Sequence, residues 1–243
     1  MPRHSYPAAM DLLERLCAEP DRAAIVLDVD GVLAPIAPRP EDSAVPGETR
    51  EVLHGLVARY ALVGAVSGRT TADATRLVGV PGIQVAGTHG LELETVPAVW
   101  VRAMHEAAGG VRWRVEDKGV ALAIHYRDAD DEYAALAELE VVAARAREAG
   151  LHARFGRKVL ELLPPVDANK GTALRRLLAR AGLSRALYAG DDTTDLDAFG
   201  AVAELEIGVR VAVDSPEAPP ALRANADILV SGPPAFLELL RRL

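Results

Sequence analysis

Two aspartates flank a single valine in Leu27-Asp28-Val29-Asp30-Gly31-Val32-Leu33, directly after an apolar run. Carboxylates at this spacing can divide the work of a displacement, one attacking as a nucleophile and the other donating and accepting a proton. Taken alone, the segment also reads as a strand ending in an acidic turn, with Gly31 admitting a positive φ. A second acidic group, Gly190-Asp191-Asp192-Thr193-Thr194-Asp195, puts three carboxylates within five positions. Acids complement the dipole at a helix start, which accounts for Asp192 or Asp195 singly. It does not account for so much charge converging with Asp28 and Asp30, and such a cluster repels itself unless a cation sits in it. Oxygen-only ligands with no Cys or His beside them favour Mg2+ over zinc. Ser67-Gly68-Arg69 offers a hydroxyl in a turn. Lys170, in Asp167-Ala168-Asn169-Lys170-Gly171, offers an ammonium placed against the dipole of the helix it opens. Nucleophile, acid/base, metal site, hydroxyl and ammonium together make the set that phosphoryl transfer requires.

These residues need elements that bring them to one place. Ala24–Val29, Ala61–Val66, Ile83–Ala86 and Ala186–Ala189 read as buried strands, and Glu48–Arg59, Thr71–Leu77 and Gly171–Ala181 as helices between them. That alternation predicts a doubly wound, mostly parallel sheet with helices on both faces. Each polar group follows a strand end, where open α/β sheets bind ligands: Asp28 and Asp30, Ser67 to Arg69, Thr88-His89-Gly90, and Gly190 to Asp192. The middle of the chain changes period. Residues 111–115 and 120–126 alternate apolar with polar, joined by a turn at Asp117-Lys118-Gly119; a helix follows over about 130–149, then strands over 152–157 and 159–163. Pro97 and Pro164-Pro165 bracket this block. The expected organisation is a discontinuous α/β core over 1–97 and 164–243 with an inserted α+β cap over 98–163.

Composition narrows the partners. The chain has 243 residues, 50% hydrophobic and 26% charged, with a net charge of −8, which excludes disorder and argues against a nucleic-acid partner. No apolar run is long enough for a membrane span, and the first residues, with Arg3, Asp11, Glu14 and Arg15, lack a signal-peptide core. A cytoplasmic monomer acting on a small molecule is expected. Cys17 is the only cysteine, which excludes an internal disulfide. Only three of the 27 basic residues are lysine (Lys118, Lys158 and Lys170), so each lysine is weak evidence that a compact ammonium is wanted there.

The four segments at Asp28 to Gly31, Ser67, Lys170 and Gly190 to Asp192 with Asp195 occur in the order seen in the haloacid dehalogenase-like phosphatases, which the chain resembles. Within that superfamily it is similar to the trehalose-6-phosphate phosphatases. The narrower match rests on Asp28 to Ile36, Val66 to Arg69, Gly87 to Glu92, Lys118-Gly119, His125 to Arg127, Gly156 to Lys158 with Glu161, Asn169 to Gly171 and Gly190 to Asp195. Val32 departs from the pattern, since Thr is frequent there.

The resemblance implies a haloacid dehalogenase-like core with a specificity cap, and hydrolysis of trehalose 6-phosphate in two steps. Asp28 would take the phosphoryl group, and Asp30 would protonate the leaving sugar oxygen and then activate water. Mg2+ would be held by the Asp28 carboxylate, the Asp30 backbone carbonyl and Asp191. Ser67 and Lys170 would hold phosphoryl oxygens, with Asp192 and Asp195 in support. Gly68, Arg69 and His89 are substrate-binding candidates in the core, and Glu116, Lys118, Arg157, Lys158 and Glu161 in the cap. Glu161 interrupts an apolar run, as a sugar-binding carboxylate or as the solvent-facing side of a half-buried strand; Arg157 and Lys158 compete for one contact. His125 and Arg127 read as structural residues, and Trp100 and Trp113 as cap packing. A cap joined by two proline-flanked crossings suggests closure over the substrate. Alternative readings are the same chemistry on a related glycosyl phosphate (a pseudo-disaccharide, glucosylglycerol or sucrose phosphate), a phosphomutase, and a sugar-phosphate-binding module without catalysis.

Overall fold

The computed structural model describes residues 6–37, 39–156 and 158–243. Among the described residues the strands are β1 Ala24–Leu27, β2 Leu62–Val66, β3 Gln84–Ala86, β4 Arg114–Asp117, β5 Leu122–His125, β6 His152–Gly156, β7 Val159–Leu163, β8 Arg185–Gly190, β9 Ile207–Asp214 and β10 Ile228–Ser231. The α-helices are α1 Tyr6–Ala18, α2 Gly47–Arg59, α3 Thr71–Val78, α4 Ala98–Ala108, α5 Glu132–Glu148, α6 Lys170–Ala181, α7 Asp195–Val202, α8 Pro220–Asn225 and α9 Gly232–Leu240. Internal contacts divide the chain into one unit of residues 1–93 and 168–243 and a second of 94–167.

The first unit holds a six-stranded sheet in the order β10-β9-β8-β1-β2-β3, every pairing parallel. Its strands β1 and β2 are apolar and buried along their whole length, as a parallel sheet covered on both sides demands. In β1, Ile25 and Leu27 join one buried cluster with Leu13, Leu16, Leu53 and Phe236, while Ala24 and Val26 join another with Leu174, Leu177 and Phe199. Each fully buried Leu, Ile or Val adds roughly 1.5–3 kcal/mol, so these two layers fix the strand order. The chain leaves β1 first toward β2 and β3, then returns to β1's other side through β8, β9 and β10. The order therefore reverses between β1 and β8, the crevice where doubly wound sheets bind ligands.

The second unit pairs a four-stranded antiparallel sheet, β4-β5-β7-β6, with α4 and α5. Leu122, Ile124, Leu160 and Leu162 pack with Met104, Leu139 and Val142, while Ala123 and Glu161, their neighbours in sequence, lie on the opposite face. The first strand of this unit was expected over 111–115 but lies at Arg114–Asp117. Val111 and Trp113 are apolar because they pack against the same cluster from outside the strand, and the register is set by Arg114 opposite His125. Trp100 packs there too, as expected. Helices α1, α4 and α8 and strands β9 and β10 add to the elements predicted from the sequence. Among the described residues no helix is long and apolar enough to cross a membrane.

Candidate active site

The strand ends beside the reversal carry the acidic residues. Asp28 follows β1, and its N–H donates to Ala189 O on β8 at 2.9 Å, so the nucleophile candidate is tied to the neighbouring strand. The chain then doubles back tightly: Leu33 and Ala34 donate to Val29 O, and Gly31 to Ala34 O. Gly31 sits at φ +84°, and a Cβ there would fall 2.2 Å from Asp191 Oδ2. Only glycine lets the Asp191 carboxylate lie against this loop.

Asp191 and Asp195 come from the turn between β8 and α7. Asp195 commits both oxygens: Oδ1 accepts from Lys170 Nζ at 2.7 Å and Tyr188 OH at 2.6 Å, and Oδ2 accepts from the N–H groups of Asp191 and Asp192 at 3.0 and 2.9 Å. It therefore shapes the turn and holds the lysine. Gly190 is required for this, because a Cβ there would meet Asp195 Cγ at 2.2 Å. Lys170 is the first residue of α6, whose start is capped by Asn169 and Thr172 in a reciprocal pair of hydrogen bonds. Its ammonium reaches Asp28 Oδ2 at 2.9 Å as well as Asp195, and its side chain is 3% exposed. These two carboxylates explain a lysine placed against the helix dipole.

One ammonium faces the carboxylates of Asp28, Asp191 and Asp195, all buried, whose nearest oxygens lie within 4.8 Å of one another. Burial first, then the charges of Asp195 and Asp191, pushes the Asp28 carboxyl well above the usual carboxylate range, against the pull of Lys170. Burial works against the Lys170 ammonium, but Asp195 and Asp28 outweigh it and hold its proton more firmly than usual. Tyr188 is raised by burial and by Asp195, so it stays a phenol and donates. A divalent cation fits this oxygen-only, net-negative cradle. Asp28 and Asp191 are its side-chain ligand candidates, because Asp195 is already spent on the lysine, the tyrosine and the turn. Gly31→Ala is expected to weaken divalent-cation binding about tenfold or more, roughly 1.4 kcal/mol, by displacing Asp191. Calorimetric titration with Mg2+ checks this, and an unchanged affinity would put the cation elsewhere.

Ser67, Arg69 and His89 lie on two interlocked loops. Ser67 N donates to Ala86 O, Thr88 N to Arg69 O and His89 N to Ser67 O. Thr88 and His89 adopt positive φ of 49° and 54°, a strained backbone for residues bearing a Cβ. Glu92 stabilises it by accepting from Thr88 Oγ1 at 2.8 Å and Thr71 N at 2.9 Å. The His89 ring lies against Gly68, where a Cβ would be 2.8 Å from Nε2. Ser67 is buried, and its Oγ accepts from Arg69 N at 3.1 Å. Asp30 is engaged differently from Asp28. Its carboxylate receives Arg69 Nε and NH2, each at 2.7 Å, and Ser43 Oγ at 3.1 Å. Asp192 Oδ1 accepts from Thr193 N at 2.6 Å.

In the second unit, Glu116, Ala123, Glu161 and Arg154 stand opposite one another in register across the sheet, on the face away from Leu122 and Ile124. Glu161 receives Arg154 at 2.6 Å and lies 3.7 Å from Lys118 Nζ, and both Glu161 and Lys118 side chains are largely buried. It is thus no freely solvated strand residue. Glu116 pairs with His125 Nε2 at 2.7 Å, a hydrogen bond that lowers its pKa against the effect of burial. Arg127 lies beyond the end of β5 at His125. Lys158, at φ +58° in the turn between β6 and β7, reaches Glu132 at 2.8 Å. Arg157 lies outside the described residues. Ser43, Tyr188, Glu92 and Arg154 were not singled out as site residues from the sequence. Tyr188 alone carried a signal, as the one polar group in the apolar run Ala186–Ala189.

The family model described as Trehalose-phosphatase matches residues 26–114 and 104–228. An uncharacterized glycosyl hydrolase of Mycobacterium tuberculosis is 36% identical over 218 residues, covering 78% of this chain and 16% of that protein. A trehalose-phosphate phosphatase of Mycobacterium marinum is 36% identical over 214 residues, covering 78% of this chain and 54% of the relative. The chain thus spans about half or less of these relatives. The C-terminal domain of a C. albicans trehalose-6-phosphate phosphatase shares the fold with a TM-score of 0.73 at 20% identity, over 98% of this chain and 96% of that one.

Proposed function

Because the chain belongs to the trehalose-phosphatase family, we propose that it is a Mg2+-dependent phosphatase that hydrolyses trehalose 6-phosphate to trehalose and phosphate. The observation that carries this reading is the buried group of Asp28, Lys170, Asp191 and Asp195 at the reversal between β1 and β8, with Asp30 two residues beyond Asp28. Mg2+, when bound by Asp28 and Asp191, supplies positive charge against the carboxylates and the phosphate. An Asp28 oxygen attacks phosphorus as the bond to the sugar oxygen breaks, and Asp30 gives that oxygen its proton. Water then attacks the aspartyl-phosphate, Asp30 takes a proton from it, and phosphate leaves with Asp28 restored as a carboxylate. Lys170, already 2.9 Å from Asp28, stays beside the oxygens that gain charge in both steps. Ser67, whose Oγ accepts from Arg69 N, keeps its hydroxyl proton for a phosphoryl oxygen.

Sugar recognition is assigned to Glu116, Lys118 and Glu161 of the second unit. Glu161 is held by Arg154 in one orientation, which suits a carboxylate that accepts from sugar hydroxyls. Lys158, paired with Glu132, is the weaker candidate. Glu161→Ala is expected to lower kcat/KM for trehalose 6-phosphate on the order of 10²-fold, about 2.7 kcal/mol, with an aryl phosphate affected only a few-fold. Equal losses on both would make Glu161 structural. The reading itself is tested by phosphate release over a panel of sugar phosphates, with Mg2+ and with EDTA. The expected result is a preference for trehalose 6-phosphate that EDTA abolishes. Preference for sucrose or glucosylglycerol phosphate would keep the chemistry and change the substrate. Release that depends on a phosphorylated activator would point to a mutase, and no release to a binding module.

A further inference from the structure

Asp30 is the proton carrier in the reading above, and this inference rests on that reading. A carboxylate offers about four acceptor sites, two on each oxygen. Three are filled here: Arg69 Nε on Oδ2, and Arg69 NH2 and Ser43 Oγ on Oδ1. The fork fixes the plane of the carboxylate, since Nε and NH2 each bind a different oxygen at 2.7 Å. Ser43 fixes it from 13 residues further along the connection between β1 and α2. The site left over, on Oδ2, is the one that can carry the travelling proton.

We infer that Arg69 and Ser43 form a clamp that aims Asp30, so that Arg69 acts on proton transfer through Asp30 and does not bind the substrate. Arg69 is then a positioning residue. Its loss falls on esters that need a proton on the leaving oxygen, and spares those that do not. A sugar alkoxide is a poor leaving group and needs Asp30, whereas a nitrophenolate departs unaided. A guanidinium that held the phosphoryl group would instead serve both esters equally.

The test measures kcat/KM, which reports steps up to phosphoenzyme formation, for trehalose 6-phosphate and p-nitrophenyl phosphate in wild type, Asp30→Asn, Arg69→Met, Arg69→Lys, Ser43→Ala and the double variant Asp30→Asn with Arg69→Met. Arg69→Met is expected to lose on the order of 10²-fold on the sugar phosphate, within the range of general acid catalysis, and less than about fivefold on the aryl ester. Ser43→Ala is expected to show the same pattern at roughly fivefold, the worth of one hydrogen bond. The double variant should be no slower than Asp30→Asn alone, because both changes remove one function. Arg69→Lys keeps the charge without the fork, and an intermediate, substrate-selective loss in it shows that aiming matters even where Arg69→Met folds poorly. Equal losses on the two esters, additive losses in the double variant, or no loss at all would overturn the inference. If wild type itself releases phosphate from neither ester, the phosphatase reading falls and takes the clamp with it; turnover by wild type with unselective losses overturns the clamp alone.

Discussion

Asp28→Asn is expected to abolish phosphate release, by on the order of 10⁴-fold or more, as removal of a nucleophile does elsewhere. The fold is expected to survive it with an unchanged or higher melting temperature in metal-free protein. The reason is that Asp28 is buried beside Asp191 and Asp195, where its ionised form is disfavoured. An amide keeps the shape and still accepts from Lys170, while removing one of three crowded charges. The variant should also lose most of the stabilisation that Mg2+ gives the wild type, because one of its ligand candidates is gone. Phosphate release and thermal melts with and without Mg2+ check both halves. Residual turnover within tenfold of wild type would remove Asp28 from the nucleophile's role.

Lys170→Met is expected to cost activity and stability together. It leaves Asp28 and Asp195 without the ammonium that lies 2.9 and 2.7 Å from them. Breaking a buried pair in this way costs about 3–5 kcal/mol, because the charge left behind has no compensation. For a protein of this size that corresponds to a melting temperature lower by roughly 6–20 °C. Adding Asp195→Asn should recover part of the loss, since Asp195 is the second of the two carboxylates that Lys170 serves. Mg2+ should also restore stability in part, but not turnover, because the cation replaces charge without replacing the contact to phosphoryl oxygens. A melting temperature equal to wild type would mean that the three carboxylates share a proton instead of needing the lysine.

Much of this architecture was legible in the chain. The apolar runs before Asp28, Ser67 and Gly190 read as strands buried on both faces, which brings the polar residues after each to one edge of the sheet. The doubly wound, mostly parallel sheet followed from that spacing. Gly31 was legible as a residue at positive φ, but not that the space of its missing side chain is taken by Asp191, 160 residues later in the chain. Long-range pairings of this kind have no local pattern. Arg69 stood out by its place after Ser67, while its fork onto Asp30 depends on two loops meeting across the sheet edge. The resemblance gives Asp195 the task of orienting Lys170 and the metal waters; its hydrogen bonds to Tyr188 and to the N–H groups of the turn come in addition, and no local pattern announces them. The alternation at 111–115 misled because packing against a helix and pairing in a strand can leave the same apolar trace.

Borohydride trapping during turnover shows most directly whether Asp28 takes the phosphoryl group. The reagent reduces an aspartyl-phosphate to homoserine, which mass spectrometry of the digested protein locates. With trehalose 6-phosphate and Mg2+, homoserine is expected in place of Asp28 and at no other carboxylate, and none without substrate or with EDTA. Steady phosphate release while Asp28 stays unmodified, or homoserine in place of a different aspartate, would contradict the account.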